Sequence, residues 1–343
     1  MAYPGGMIPH RLSAGGVPVS PEEMFTWSII DAETIEITGF ADGYEDTAKI
    51  NIPSTAQGRS VVSIGDSAFF GATSLESVEI PGSVTSIGVS AFLNCASLES
   101  VTLNEGLETI GNTAFRGVST GGAPKITSIT LPSTLTALGT DTFQNCPNLE
   151  EVTYNSAPTQ GVTIFSGVPA GQVHLTFAEG LTTTPVGSNM WGVGLGSVSW
   201  PSTMTSIGDS AFFGATSLES VEIPGSVTSI GVSAFFGATS LESVTLNDGL
   251  ETIGAQAFGS AGGSTAPKIT SITLPSTLTA LGHRTFRNCP NLLSVHFLGN
   301  APSASDPYNN TPVTLTSYAP TGATGWPTGT PPLTWQSRPF EYV

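Results

Sequence analysis

One short apolar pattern, Leu-x-x-Val-x-Ile, recurs along this chain in a register that leaves little freedom. It reads Leu75-Val78-Ile80, Leu98-Val101-Leu103, Ile126-Ile129-Leu131 and Leu149-Val152-Tyr154. After a poorly matching copy that ends Leu175-Thr176-Phe177, it resumes as Leu195-Val198-Trp200, Leu218-Val221-Ile223 and Leu241-Val244-Leu246. Ile269-Ile272-Leu274 and Leu292-Val295-Phe297 follow, and an early copy ends in Ile50-Asn51-Ile52. The last apolar position falls at 52, 80, 103, 131, 154, 177, 200, 223, 246, 274 and 297, so every step is 23 or 28 residues. A fixed period of this size, held over about eleven units, is the signature of a solenoid. The 28-residue steps are the shorter step plus five. The additions fall around Gln57-Gly58-Arg59 and in the stretches GVSTGGAPK and SAGGSTAPK, whose Gly, Ser and Thr content predicts surface loops.

A second regularity sits on the first. Ser63 to Phe92 is written again, unchanged, from Ser206 to Phe235, and the match continues at an offset of 143 residues to Val152 and Val295. A block of about four repeats has been duplicated. Each copy supplies more stack.

Within one repeat, Leu75, Val78 and Ile80 are expected to point inward from a short strand. Pro81 ends that strand, because proline cannot donate to a ladder. Val84 and Ile87 return to the interior on the opposite side. Gly88 is read as a tight corner with positive φ. Ala91 and Phe92 then plug the interior from a helical or 3₁₀ turn, next to a small position occupied by Cys95, Ala72, Ala215, Ala238, Cys146 or Cys289. No single repeat buries enough apolar surface to offset the entropy of ordering its backbone, so neighbours must supply the rest.

The whole motif, L-x-x-V-x-I-P-x-S-V-T-S-I-G-x-x-A-F-x-x-C-x-x-L, resembles the BspA-like leucine-rich repeats, most closely over Leu75–Leu98 and Leu218–Leu241 and in outline from Ile50 to Phe297. The resemblance implies a mainly β, right-handed solenoid. A parallel sheet lies on one face, short strands or helical turns on the other, and both ends are capped. It also implies a surface-exposed interaction protein, often adhesive, with no catalytic motif to transfer. The expected organisation is an arm over residues 1–24, a capping hairpin over 25–49, the solenoid over 50–299 and a C-terminal cap or tail over 300–343. Between Gln160 and Trp200 the motif degrades: Gly161…Phe165 and Gly187…Trp191 stand in for I-G-x-x-A-F. This stretch is either a join between two solenoid halves or a separate surface feature.

Charge narrows the function. Charged residues make up 10% of the chain and the formal net charge is −17, which disfavours nucleic acid and anionic membrane surfaces as partners. No apolar run is long enough to insert in a membrane, and no secretory signal is visible at the N-terminus. Cys95, Cys146 and Cys289 occupy one small inward position and are read as buried free thiols. His10, His174, His283 and His296 share no metal-ligand spacing and are read as surface residues. His283, Arg284 and Arg287 form a basic turn. Gly192-x-Gly194-x-Gly196 precedes a strand where a nucleotide loop would follow one. Asp42 to Asp46 is read as a plain turn, and Asn309-Asn310-Thr311 is a sequon by pattern alone. No catalytic constellation, metal site or cofactor site can be assembled.

What remains is the outward side of the strand. Glu79, Thr102, Thr130 and Thr153 in the first half, and Glu222, Thr245, Thr273 and His296 in the second, form one outward column. Ser77, Ser100, Ser128, Ser220, Ser243 and Ser271 belong to the column beside it. The expected function is non-enzymatic: binding of a protein or carbohydrate surface through this Ser/Thr face, at a cell surface. The alternative is a structural subunit of a virion or appendage that contacts neighbouring subunits.

Overall fold

The computed structural model describes residues 20–118, 121–157, 159–160, 164–185, 194–328 and 333–343. The polypeptide winds through about thirteen turns with almost no helix. Two parallel sheets run along it. The front sheet is built from the apolar pattern itself, in strands such as Ser77–Ile80, Ser100–Leu103, Glu151–Tyr154, Ser243–Leu246 and Ser294–Phe297. The rear sheet is made of two-residue strands, Ser86–Ile87, Thr109–Ile110 and Ala137–Leu138 in the first half and Ser229–Ile230, Thr252–Ile253 and Ala280–Leu281 in the second. Front strands pair in parallel with no register shift across most steps: Val78 faces Val101, Val152 faces Leu175, and Ile272 faces Val295. Leu75, Leu98 and Leu241 are all buried in one inner column.

The alternation of the strands decides what is inside. Odd and even residues of a strand point to opposite faces. In Ser77–Ile80, Val78 and Ile80 are therefore buried and Glu79 is exposed. The interior then fills with one aromatic ring per coil. Phe69, Phe92, Phe115, Phe143 and Phe165 stack with ring centroids 5.1, 5.1, 5.4 and 5.7 Å apart. Phe212, Phe235, Phe258, Phe286 and Tyr308 repeat the column in the second half. Along the front strands of the irregular stretch, Tyr154, Phe177 and Trp200 form a further aromatic run, and Trp200 meets Phe212 of the second column edge-on at 5.7 Å. Gly187 to Trp191 lie outside the described residues.

Two local expectations change. The phenylalanine plugs sit on successive tight turns, not on helical ones; among the described residues 3₁₀ helix occurs at Pro21–Met24 and Gly263–Thr265. Positive φ also belongs to a different residue: Ser90 (φ 58°), two positions after Gly88, and likewise Ser67, Thr113, Ser233 and Gln256. Gly88 is required for another reason. A Cβ on Gly88 would lie 2.6 Å from the Gly65 carbonyl carbon, one on Gly111 would lie 2.7 Å from that of Gly88, and one on Gly254 would lie 2.5 Å from that of Gly231. Consecutive coils touch here backbone to backbone, and no side chain fits between them.

Hydrogen bonds repeat at the same spacing. Asp66 Oδ1 accepts the Val89 N–H at 2.7 Å, and Asp209 Oδ1 accepts the Val232 N–H at 2.7 Å. The Glu105 carboxylate takes the Ser133 hydroxyl at 2.7 Å and its N–H at 3.1 Å, and Glu179 takes both groups of Ser202 at 3.0 Å. These bonds hold both carboxyls below the usual glutamate range.

At the N-terminal end, Phe25–Ile29 and Thr34–Phe40 form an antiparallel hairpin, with Asp31 Oδ1 accepting the N–H groups of Glu33 and Thr34 at its turn. Its second strand continues the rear sheet in parallel with Arg59–Ile64, and Phe25 and Phe40 close the aromatic column against Phe69. At the other end, Thr316–Ala319 and Arg338–Tyr342 extend the front sheet beyond Ser294–Phe297, adding two turns to those visible in the apolar register. Trp326 and Trp335 are buried against Phe297, and the Trp326 indole N–H donates to the Gly299 carbonyl. The insertion at Gln57-Gly58 is a hairpin turn between Thr55–Ala56 and Arg59–Ile64. The other two insertions coincide with breaks in front-sheet bonding, after Ser100–Leu103 and after Ser243–Leu246, where Val101, Leu103 and Val244 are only half-buried.

Two predictions follow from the coil contacts. Because residues 63–92 and 206–235 are identical, deleting residues 93–235 leaves every remaining coil with its native neighbours on both sides. The shortened chain should fold, giving the same β-type circular dichroism and a cooperative melt; an aggregated or unstructured product would contradict coil-by-coil additivity. Gly254→Ala should destabilise by on the order of 3 kcal/mol, because backbone must move to admit the methyl group. An unchanged melting midpoint would show that the glycine contact is not tight.

Candidate functional site

The parallel pairing turns the outward positions of the front sheet into columns. Glu79 stands beside Thr102, Thr130 beside Thr153, Glu222 beside Thr245, and Thr273 beside His296. Adjacent strands put such neighbours about 4.8 Å apart. Glu79, Thr102, Thr130, Glu222, Thr245 and Thr273 are exposed, while Thr153 and His296 are half-buried. All eight residues therefore share one face, interrupted at the breaks in front-sheet bonding. The neighbouring column holds Ser77, Ser100, Ser128, Glu151, His174, Ser197, Ser220 and Ser243.

Two features of this face escaped the sequence reading. His174, taken singly as a surface residue, reaches across to the next strand: Nδ1 lies 2.7 Å from Ser197 Oγ and Nε2 lies 3.0 Å from Ser199 Oγ. The signal was present in the alternation of Val173–Phe177 and Leu195–Ser199, which points all three outward, but this is the stretch where the motif degrades. Both ring nitrogens are thus engaged by serine hydroxyls of the next strand. The second feature is Tyr318, from the C-terminal tail. Its ring lies on His296, with centroids 4.7 Å apart and planes within 9°.

The remaining polar clusters are mostly bonded internally, although Arg284 Nε has no hydrogen-bond partner. A cavity of about 460 Å³ on the rear sheet is lined by Glu36, Thr38, Asp66 and Ser86. Its carboxylates already accept the Ser63 hydroxyl at 3.0 Å and the Val89 N–H. In the acidic turn, Glu45 Oε2 accepts the Gly43 N–H and Asp46 Oδ1 the Ser74 hydroxyl. In the basic turn, Arg284 Nε lies 4.0 Å from Asp306 and His283 Nδ1 lies 3.1 Å from the Ser305 carbonyl. The sequon threonine, Thr311, is buried with its hydroxyl donated to Tyr308 O. Among the described residues no group of three or more His, Cys, Asp or Glu is placed to hold a metal ion, and no helix is long and apolar enough to cross a membrane.

The three cysteines lie on the inner column, and each thiol donates to a phenylalanine carbonyl: Cys95 to Phe69, Cys146 to Phe115 and Cys289 to Phe258. Burial pushes Cys95 and Cys289 up to about 12 and raises Cys146 as well, so none is a nucleophile at neutral pH.

Comparison with known proteins agrees with this architecture. The family model for the BspA type leucine rich repeat region matches residues 33–169 and 190–306, in six copies. No curated protein matches the chain. Among solved structures, a leucine-rich repeat protein from Bacteroides ovatus is 21% identical, over 93% of this chain and 98% of that one, at a TM-score of 0.36. A leucine rich cell surface protein from Faecalibacterium prausnitzii is 21% identical, over 93% of each chain, at a TM-score of 0.43. The T. pallidum leucine rich repeat protein is 22% identical, over 80% of this chain and 90% of that one, at a TM-score of 0.38. The matched repeats, the two parallel sheets and the single column of buried leucines make this chain a member of the BspA-type leucine-rich repeat family.

Proposed function

We propose that the chain is a non-enzymatic interaction protein, of the kind that serves adhesion, and that its front sheet is the surface on which a partner protein or glycan docks. The observation that carries this reading is the register of the outward columns: many weakly binding groups are held at a constant repeat on a rigid support. Each hydroxyl contributes little alone, since a surface polar group exchanges one hydrogen bond with water for another. Fixed in rows, they engage an extended partner without further ordering of the protein, and lost entropy is the main cost of such contacts. Leucine-rich repeat proteins are in general scaffolds for binding, consistent with a face that carries recognition groups and no assembled catalytic centre.

The test uses the full chain and two arginine substitutions on the front face, Ser100→Arg and Ser243→Arg, both at exposed positions. Screened against an array of purified proteins and polysaccharides, the wild-type chain should retain at least one partner that each variant binds at least tenfold more weakly, with the melting midpoint unchanged. Partners bound equally by wild type and both variants would place recognition elsewhere.

A further inference from the structure

The duplication provides an internal control for the front sheet. Most front-face positions correspond at the offset of 143 residues, and the inward residues at the end of each block keep their character: Val152 with Val295, and Tyr154 with Phe297. The outward residues of the same coil do not. Glu150, Thr153 and Asn155 in the first block correspond to Leu293, His296 and Leu298 in the second. Leu293 and Leu298 are each 55% exposed. Between them His296 carries the Tyr318 ring. A lone exposed leucine calls for no explanation. Two leucines flanking an aromatic stack, on a face whose outward columns are mostly Ser, Thr and Glu, have the composition of an interface core.

The surroundings define what would cover this strip. Glu341 is in register with Tyr318 on the next strand. On the other side, Glu222 stands in the column of His296 three coils earlier, and Glu219 stands three coils before Leu293. Both are exposed, and Glu222 Oε1 accepts the Asn247 amide at 3.2 Å. Lys268, which pairs with Glu242 at 2.9 Å one coil nearer the strip, also attracts Glu219. Among the described residues, Glu222 and Glu341 are therefore the carboxylates here without a cationic neighbour of this kind. At about 4.8 Å per strand, Glu222 and Glu341 are roughly 24 Å apart, the span of about seven extended residues. Each ring of the strip covers one face of the other, which leaves no open ring face between them on which a sugar would stack.

We propose that this C-terminal stretch of the front sheet docks a cationic protein segment. Its apolar side chains rest on Leu293, Leu298 and the His296–Tyr318 stack, and its Lys or Arg residues lie over Glu222 and Glu341. The proposal rests on the front sheet being the docking face and names the class of partner and its seat. The leucines supply desolvated contact and the carboxylates supply orientation and attraction at a distance.

The control variant is built from the protein's own first block: Leu293→Glu with Leu298→Asn installs the residues found at Glu150 and Asn155, which the same fold already accommodates. Binding is read by fluorescence anisotropy on the full chain. The probes are a labelled KRGLWLK peptide, whose cations flank its apolar residues as the carboxylates flank the strip, the same peptide with glutamate at its basic positions, and a neutral cello-oligosaccharide. The wild-type chain should bind the cationic peptide, at least tenfold more weakly at 300 mM than at 50 mM salt. The double variant should lose at least tenfold in affinity at an unchanged melting midpoint. No binding of the cationic peptide, equal binding by the double variant, or preference for the acidic peptide or the oligosaccharide would overturn the proposal. If the array partners are lost in Ser100→Arg and Ser243→Arg but kept in the double variant, the front sheet stands as a docking face and this seat on it falls.

Discussion

The fold depends on the contact between one coil and the next. A coil has an interior only because its neighbours close it above and below: the phenylalanine ring of each is covered by the ring of the following coil, and its strand is bonded to the following strand. That closure is possible because the backbones meet at Gly88, Gly111, Gly231 and Gly254, where any Cβ would strike the preceding chain. The glycines set the pitch, and the rings, spaced 5.1–5.7 Å in the first half, follow it. Both ends can be understood from the same need, since the first and last rings have no further coil beyond them and are covered by Phe25 and Phe40 at one end and by Trp335 at the other.

Such a constraint divides the labour of the residues. Inward positions answer to the stack and vary little between the duplicated blocks. Outward positions answer to nothing in the stack and are free to differ. For this reason the front face can carry Ser and Thr rows along most of its length and leucines on one coil, at no cost to the fold. The histidines follow the same logic. His174 and His296 are both outward and both bonded or stacked across to the next strand, but one sits among hydroxyls and the other against an aromatic ring.

The register and the inward columns were legible in the sequence because they obey a period, and a period is visible without coordinates. Leu75, Leu98 and Leu241, the three cysteines and the phenylalanine plugs all sit where the spacing puts them. The turn chemistry was less legible. Gly88 invites a reading of positive φ, yet Ser90 adopts it, because a glycine has two distinct uses and the sequence does not say which one a turn needs. The two added front strands were hidden because Thr316–Ala319 and Arg338–Tyr342 lack the leucine pattern, although they pair in the same parallel ladder. The His296–Tyr318 stack was hidden for the same reason, since one partner lies in that tail. Of the candidate face, the column membership of Glu79, Thr102 and their companions followed from alternation, whereas the contacts across strands, such as His174 to Ser197, required the register of a stretch where the motif fails.

The buried sulfurs have a consequence for where such a molecule can operate. Cys95, Cys146 and Cys289 each sit beneath a ring column with the proton held on sulfur and directed at a carbonyl. Thiol–disulfide exchange needs an accessible thiolate, and none of these sites provides one. The folded chain is therefore indifferent to the redox poise of its surroundings: it neither gains cross-links on entering an oxidising medium nor loses any on returning to a reducing one.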